Sequence, residues 1–328
     1  MLYFKITKTD NHLDEMAEQV NGEVSDGVLE LPSHLGNGSV KVIQLTEGIK
    51  LQDEDFCFNK DLLIDRNIEE DCNSNFFSLI YVFESHDLTE PKTDNSDGFQ
   101  NHILFFNRYY RFNTFVPAYT KYRQVHFFIN LDKILSIAKY YDLPKSLIDL
   151  LKSNEAWCYK YPYPLEVQRV LHQMNSYKAN SLFSKGYLIN KSEELIMLTL
   201  EQIYSDQLGE DVKKNFIHQD DIVLINKVEK QLLELSHEEF SINKLADDLS
   251  VGIRKLQRLF KAYHGMDMTS YRKHIRMEQA KQMLLEQRYS ITDISYKVGY
   301  SNISNFSKVF KDYFGMSPSS LLNKTKED

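Results

Sequence analysis

Long apolar runs are missing from this chain. No stretch approaches the roughly 20 apolar residues needed to cross a bilayer, and Met1 to Asp10 alternates apolar and charged residues instead of forming a signal-type apolar core. The expectation is a cytoplasmic protein with no membrane partner. Cysteine is scarce too: Cys57, Cys72 and Cys158 are odd in number and widely spaced, without a Cys-x-x-Cys pair. That pattern disfavours a disulfide framework or a zinc site and predicts buried thiols. His86, His102 and His126 are scattered singly, with no His-x-His pair, so a clustered metal-ligand set is not legible. A Gly-rich phosphate loop and a Gly-x-Ser-x-Gly elbow are also lacking. The chain is expected to be no enzyme and to carry no metal or cofactor.

A basic overall charge is lacking as well, since the net charge is −8. The average hides an asymmetry. From Val251 to Lys324 there are 13 Lys and Arg against 5 Asp and Glu, a local balance of +8 that leaves −16 on the rest. A basic segment joined to an acidic one is what attraction to phosphate requires, although a solvated helical face would show the same charges.

At 328 residues and 42% hydrophobic, the chain has material for two cores. Up to about Leu131 it reads as short strands: Val40 to Thr46, Phe56 to Phe58, Phe76 to Phe83, His102 to Phe106 and Val125 to Leu131. The clusters Gly36-Asn37-Gly38 and Asp94-Asn95-Ser96-Asp97-Gly98 read as turns between them. Strands at this spacing suggest an antiparallel sandwich or small barrel. From Asp132 onward the pattern is helical, with apolar faces over Leu165 to Tyr177 and Lys191 to Leu208. The second of these, with Glu193, Glu194 and Glu201 outside, has two open readings: pairing with its twin in a homodimer, or packing on its own β-domain. Polar Gly209 to Lys214 reads as linker.

An internal repeat is the most informative feature. Leu259-Phe260-Lys261-Ala262-Tyr263-His264-Gly265-Met266 lies over Val309-Phe310-Lys311-Asp312-Tyr313-Phe314-Gly315-Met316, and each copy follows a short helix pattern, Ile242 to Leu249 or Ile291 to Val298. That is helix, turn, helix, twice. Ser241 and Ser290 stand where a side chain can cap the first helix. In the second helices, Ile253, Leu256, Leu259 and Phe260, and then Ile303, Phe306, Val309 and Phe310, are expected to point inward. Arg254, Lys255, Gln257, Arg258 and Lys261 are left outside in the first unit, and Asn302, Ser304, Asn305, Lys308 and Lys311 in the second. These sets are rich in donors that read base edges and neutralise phosphates. Thr269 to Glu286 reads as one connecting helix, with Ile275, Met283 and Leu284 as its apolar stripe. At about 27 Å, it would set the two readers roughly one DNA turn apart.

Over approximately 222–324 these residues resemble the AraC/XylS transcription regulators. The matching positions are Leu245-Ala246, Leu256 to Lys261, Gly265, Tyr271, Arg276, Ala280, Leu284, Ile291, Ile294, Val298-Gly299-Tyr300-Ser301-Asn302, Phe306, Phe310-Lys311, Gly315 and Ser317-Pro318. Ser250, Gly252, Ser295 and Leu321 depart from the family pattern. The resemblance implies base-reading positions at Arg254, Gln257 and Arg258, and at Ser304, Asn305 and Lys308. It also implies double-stranded promoter or operator DNA as the partner, with RNA polymerase, a small-molecule effector and a second copy of the chain as further candidates.

The expected architecture is α+β. Residues 1–210 form an effector-sensing or dimerisation domain, mainly β and cupin-like to about 131, then helical; 211–221 are linker; 222–324 form an all-α domain of two helix-turn-helix units joined by a linker helix. The aromatics Tyr109, Tyr110, Phe112, Phe115, Tyr119 and Tyr122 would line an apolar ligand pocket, or else serve as ordinary core. Two rivals to DNA-binding transcription regulation remain: an interaction factor that kept the fold but lost DNA binding, and an N-terminal enzyme with a DNA-targeting tail.

Overall fold

The computed structural model describes residues 2–5, 12–65, 75–83, 102–111, 113–116, 118–176, 183–208, 216–217, 219–234, 241–264 and 266–327. The first half runs β1 (Leu2–Lys5), α1 (His12–Val20), β2 (Val24–Ser25), β3 (Val28–Glu30), β4 (Gly36–Thr46), β5 (Ile49–Phe58), β6 (Leu62–Asp65), β7 (Phe76–Phe83), β8 (His102–Asn107), β9 (Asn113–Val116) and β10 (Lys121–Asn130). Four helices follow, α2 (Leu131–Tyr140), α3 (Lys145–Leu151), α4 (Leu165–Ser176) and α5 (Ser184–Leu208), with β11 (Cys158–Pro162) between α3 and α4. Then come β12 (Phe216–Ile217), α6 (Gln219–Glu234), α7 (Ile242–Asp248), α8 (Ile253–His264), α9 (Met268–Glu286), α10 (Ile291–Lys297), α11 (Ile303–Phe314) and α12 (Pro318–Glu327).

Nine strands pair in the order β12-β11-β8-β7-β10-β5-β4-β3-β2, every pairing antiparallel, and β1-β6-β9 form a second, small sheet. The period-2 alternation of β10 divides the large sheet into two faces. Phe127 and Ile129, with Leu79, Tyr81, Phe105 and Tyr159 from neighbouring strands, pack under the helices against Val167, Val170, Leu195, Ile196, Leu200 and Ile203. The Tyr81 hydroxyl donates to Leu195 O of α5 at 3.1 Å. The apolar side of α5 thus meets its own β-domain, the second of the two readings of this helix. A second core joins α1 to the sheet margins through Phe4, Met16, Val20, Phe56, Phe58, Leu62 and Ile64.

The fold is mixed helix and sheet as expected, with three local corrections. Gly36-Asn37-Gly38 is not a turn but the start of β4, paired with Phe58, Cys57 and Phe56. Gly38 has φ +111°, and a Cβ there would sit 2.1 Å from Asp55 O, so the glycine permits the close approach of β5. The helical region is interrupted by β11, which returns to pair with β8. Part of the expected linker is structured, because β12 pairs with β11 and α6 begins at Gln219. Residues 209–215 and 218 of the linker region, the turn cluster at 94–98, His86 and Cys72 lie outside the described residues. Cys57 and Cys158 are free and buried, and burial pushes both thiols up to about 12. Among the described residues, no helix is long and apolar enough to cross a membrane.

Candidate nucleic-acid interface

The C-terminal domain begins with α6, whose Val228 and Leu232 pack into the first helix-turn-helix core with Leu245, Ala246, Leu256 and Phe260. Helix α7 is started by Ser241, whose side chain accepts a hydrogen bond from Lys244 N. Buried His264, at the last turn of α8, lies 2.9 Å from Glu229 of α6, tying the two helices together. The second unit repeats the design: Ser290 and Asp293 form a reciprocal capping box on α10, and Ile294, Phe306 and Phe310 fill the core. Gly315 closes α11 in the left-handed conformation expected of it, at φ +72°. Its counterpart Gly265 lies outside the described residues.

Helix α9 joins the two units by contributing to both of their cores. Asp267 caps it by accepting from the Thr269 and Ser270 amides at 2.9 Å, and these donors hold the Asp267 carboxyl below the usual carboxylate range. Tyr271 and Ile275 belong to the first core, while Met277, Ala280, Met283 and Leu284 belong to the second. Its 19 residues rise about 28 Å. A hinge inside α9 would have to open one of the two cores.

On α8, Arg254, Lys255, Gln257, Arg258 and Lys261 are all exposed, as the sequence pattern requires, and so are Asn302, Ser304, Asn305, Lys308 and Lys311 around α11. Two of these have other employment. Lys255 pairs with Asp221 of α6 at 3.3 Å, and Asn302 caps α11, its side-chain oxygen accepting from the Ser304 and Asn305 amides at 2.8 and 3.2 Å. Two inward assignments also need correction: Ile253 and Ile303 are 38% and 39% exposed, because each is the first residue of its helix and overhangs the core.

Helix α9 adds two cations that a reading of its apolar stripe passes over. Arg272 and Arg276 stand one turn apart; burial and the Arg276 charge bring Arg272 down to about 10, and burial lowers Arg276, whose guanidinium lies 5.8 Å over the Tyr300 ring. Their i, i+4 spacing was the available signal.

The units differ in their turns. From Asp248 to Ile253 the connection is one residue shorter than from Lys297 to Ile303, so α7 and α10 correspond at an offset of 49 and the helices after them at 50. Each turn holds a left-handed residue, Ser250 at φ +52° and Gly299 at φ +81°; the serine bears the strain that glycine avoids. Ser295 shows the opposite mismatch. It occupies the place of Ala246, is fully buried, and its hydroxyl has no hydrogen-bond partner. Ser295→Ala is therefore expected to raise stability by about 1–2 kcal/mol, read as a higher denaturation midpoint; a lower midpoint would contradict the assignment.

Of the six aromatics proposed as a pocket, the four whose side chains are described do not converge. Tyr109 donates to Asn154 at 3.0 Å, Tyr110 packs with Phe106 and Cys158, and Tyr122 stacks on Phe56. Tyr119 instead packs against the second core of the C-terminal domain. Phe112 lies outside the described residues, and Phe115 is placed only by its pairing with Leu63 in β9. Two further contacts cross between the halves: Lys160 of β11 donates to Tyr263 O, with its ammonium 3.6 Å from the Tyr263 ring centroid, and Gln279 donates to Ala118 O at 3.0 Å. Among the described residues, no group of three or more His, Cys, Asp or Glu is placed to hold a metal ion.

A family profile described as a helix-turn-helix domain matches residues 245–324, the span from α7 to α12. The C-terminal region is an AraC-type helix-turn-helix domain. Similar curated proteins include the Msm operon regulatory protein of Streptococcus mutans, 32% identical over 104 residues, covering 32% of this chain and 37% of that protein. The transcriptional activator RhaS of an Enterobacter species is 26% identical over 153 residues, covering 47% of this chain and 52% of its own. A solved transcriptional regulator from Chromobacterium violaceum, described as having an AraC-type DNA-binding domain, is 27% identical, with a TM-score of 0.28 and coverage of 33% of this chain and 93% of its own. The chain spans roughly a third to a half of the length of the curated relatives it matches. The matched span begins within α7, the first helix of the repeated pattern, and includes both α8 and α11.

Proposed function

We propose that this chain is a sequence-specific DNA-binding regulator of transcription, with α8 and α11 as the two helices that enter the major groove. The observation that carries the reading is that both exposed donor sets sit on helices held by a single connecting helix shared between two cores. A spacing of about 28 Å along α9, extended by its flanking turns, approaches the roughly 34 Å of one DNA turn. Arg254, Gln257 and Arg258 supply guanidinium and amide groups that pair with guanine and adenine edges. Ser304, Asn305 and Lys308 form a milder set, and Lys261 and Lys311 serve the phosphates. Lys255 and Asn302 contribute less, because Asp221 and the cap of α11 already engage them.

In this reading the N-terminal domain senses an effector. Support comes from the large-sheet face opposite α4 and α5, where Gln52, Glu54, Gln124 and His126 are all buried. Glu54 accepts from Gln52 at 2.5 Å and from Gln124 at 2.7 Å, and the Tyr122 hydroxyl donates to Gln124 at 2.6 Å. A row of buried hydrogen-bonding groups on one sheet face is suited to a polar small molecule. RNA polymerase and a second copy of the chain are the other partners this role would use. No reaction is assigned to the protein.

The test is selection of duplexes from a random-sequence library with the full-length protein. The expected result is an enriched site with two recognised blocks on one side of the duplex, about one helical turn apart. Affinity for it should fall steeply with salt and exceed that for random DNA by on the order of a thousandfold or more. Failure to enrich any sequence over random would overturn the reading and favour an interaction factor that no longer reads DNA.

A further inference from the structure

The exposed isoleucines at the start of the two recognition helices have a bearing on which bases are read. Ile253 and Ile303 are the first residues of α8 and α11, and their exposures of 38% and 39% contrast with 1% or less for Leu256, Phe260, Phe306 and Phe310 further along the same helices. A β-branched aliphatic side chain left this open at a helix start gains little for stability. Its position is nevertheless kept in both units. Ile253 and Ile303 follow the offset of 50 that relates Phe260 to Phe310, not the offset of 49 that relates Ser241 to Ser290. The residue is in register with the recognition helix, whatever the length of the turn before it.

Direction adds to the argument. Helical side chains lean toward the helix N-terminus, so a residue in the first position projects past the end of the helix. In helix-turn-helix proteins that end is the one that meets base edges. The apolar feature of the major groove is the 5-methyl group of thymine. We propose that Ile253 and Ile303 are specificity residues, each packing on one thymine methyl group, one in each recognised block. Gln257 stands one turn after Ile253 on the same side of α8, and a glutamine amide pairs with adenine N6 and N7. The first unit is therefore set to favour an A·T-containing step, with the methyl on one base and the amide on the other. Ser307 is the matching neighbour of Ile303, so the second unit reads the methyl without that adenine partner. The proposal rests on α8 and α11 being the groove-entering helices.

The experiment uses the full-length protein and the duplex obtained by selection. Each thymine is replaced singly by deoxyuracil, which deletes the methyl group and leaves the hydrogen-bonding edges unchanged. Wild-type affinity is expected to fall about fourfold at one thymine in each block. Ile253→Ala should weaken binding to the parent duplex by at least that factor and abolish the deoxyuracil effect in the first block only; Ile303→Ala should do the same in the second. If no thymine is sensitive, or if sensitivity persists in the variants, the methyl contacts are wrong while DNA reading by Arg and Gln stands. If no duplex is enriched, the regulator reading fails and this inference fails with it. The deoxyuracil scan on the wild-type protein decides whether the methyl groups are read even where a variant folds poorly.

Discussion

Phe310→Ala is expected to cost the second helix-turn-helix unit about 3–5 kcal/mol, the range for truncating a fully buried phenylalanine. The ring is completely buried, with its centroid 5.7 Å from that of Phe306 and 4.6 Å from that of Phe314. Around it lie Met283 and Leu284 of α9 and Ile294 of α10. Helix α10 has only seven residues, too few to persist without the core it packs on. The cavity would therefore loosen α10, α11 and the C-terminal half of α9 together. Amide hydrogen exchange distinguishes the outcomes, since protection should drop through 291–314 while 242–264 stays closer to wild type. An equal drop in both units would show that α9 makes them a single cooperative body.

The second large effect concerns recognition and not folding. Arg258→Ala should weaken binding to the selected duplex by about 1–3 kcal/mol, with a smaller loss on random DNA. Arg258 is exposed on α8 in the turn after Arg254, and its guanidinium offers the fork of donors that matches guanine O6 and N7. Lys311→Ala, by contrast, should reduce affinity more evenly across sequences and lower the salt slope by about one. Loss of equal size on selected and random DNA for Arg258→Ala would reduce that residue to a phosphate contact.

The half of the chain that carries this site was readable because its signals are local. Helices α8 and α11 are specified by 3.6-residue periodicity, by serine caps at Ser241 and Ser290 on the helices before them, and by a repeat that aligns Phe260 with Phe310. Exposure of the donor residues follows directly from that periodicity. Cap geometry and helix ends are where the local pattern fell short. Asn302 faces outward by its position, yet its oxygen is spent on two backbone amides. Ile253 and Ile303 belong to the apolar side by angle but stand where their helices overrun the core.

The N-terminal half depends on pairings that sequence distance conceals. Gly36-Asn37-Gly38 has turn composition, but its glycines make room for β5 and not for a reversal. Strand β11 lies among helices in sequence and pairs with the distant β8, as in Tyr159 with Phe105. The aromatics from Tyr109 to Tyr122 are close in sequence, yet β9 and β10 belong to different sheets. Tyr110, Tyr119 and Tyr122 consequently end in three different cores.

The unequal turns before α8 and α11 mean that the two helices are not interchangeable cassettes. A graft that moved α11 into the place of α8 by aligning the preceding helices, Ser290 on Ser241, would arrive one residue out of step. One residue is about 100° of helix rotation, enough to swing Lys308 away from the outer face and carry Phe306 and Phe310 toward solvent. Swapping specificities between the units therefore requires each helix to travel with its own turn, cut at the left-handed residue, Ser250 or Gly299.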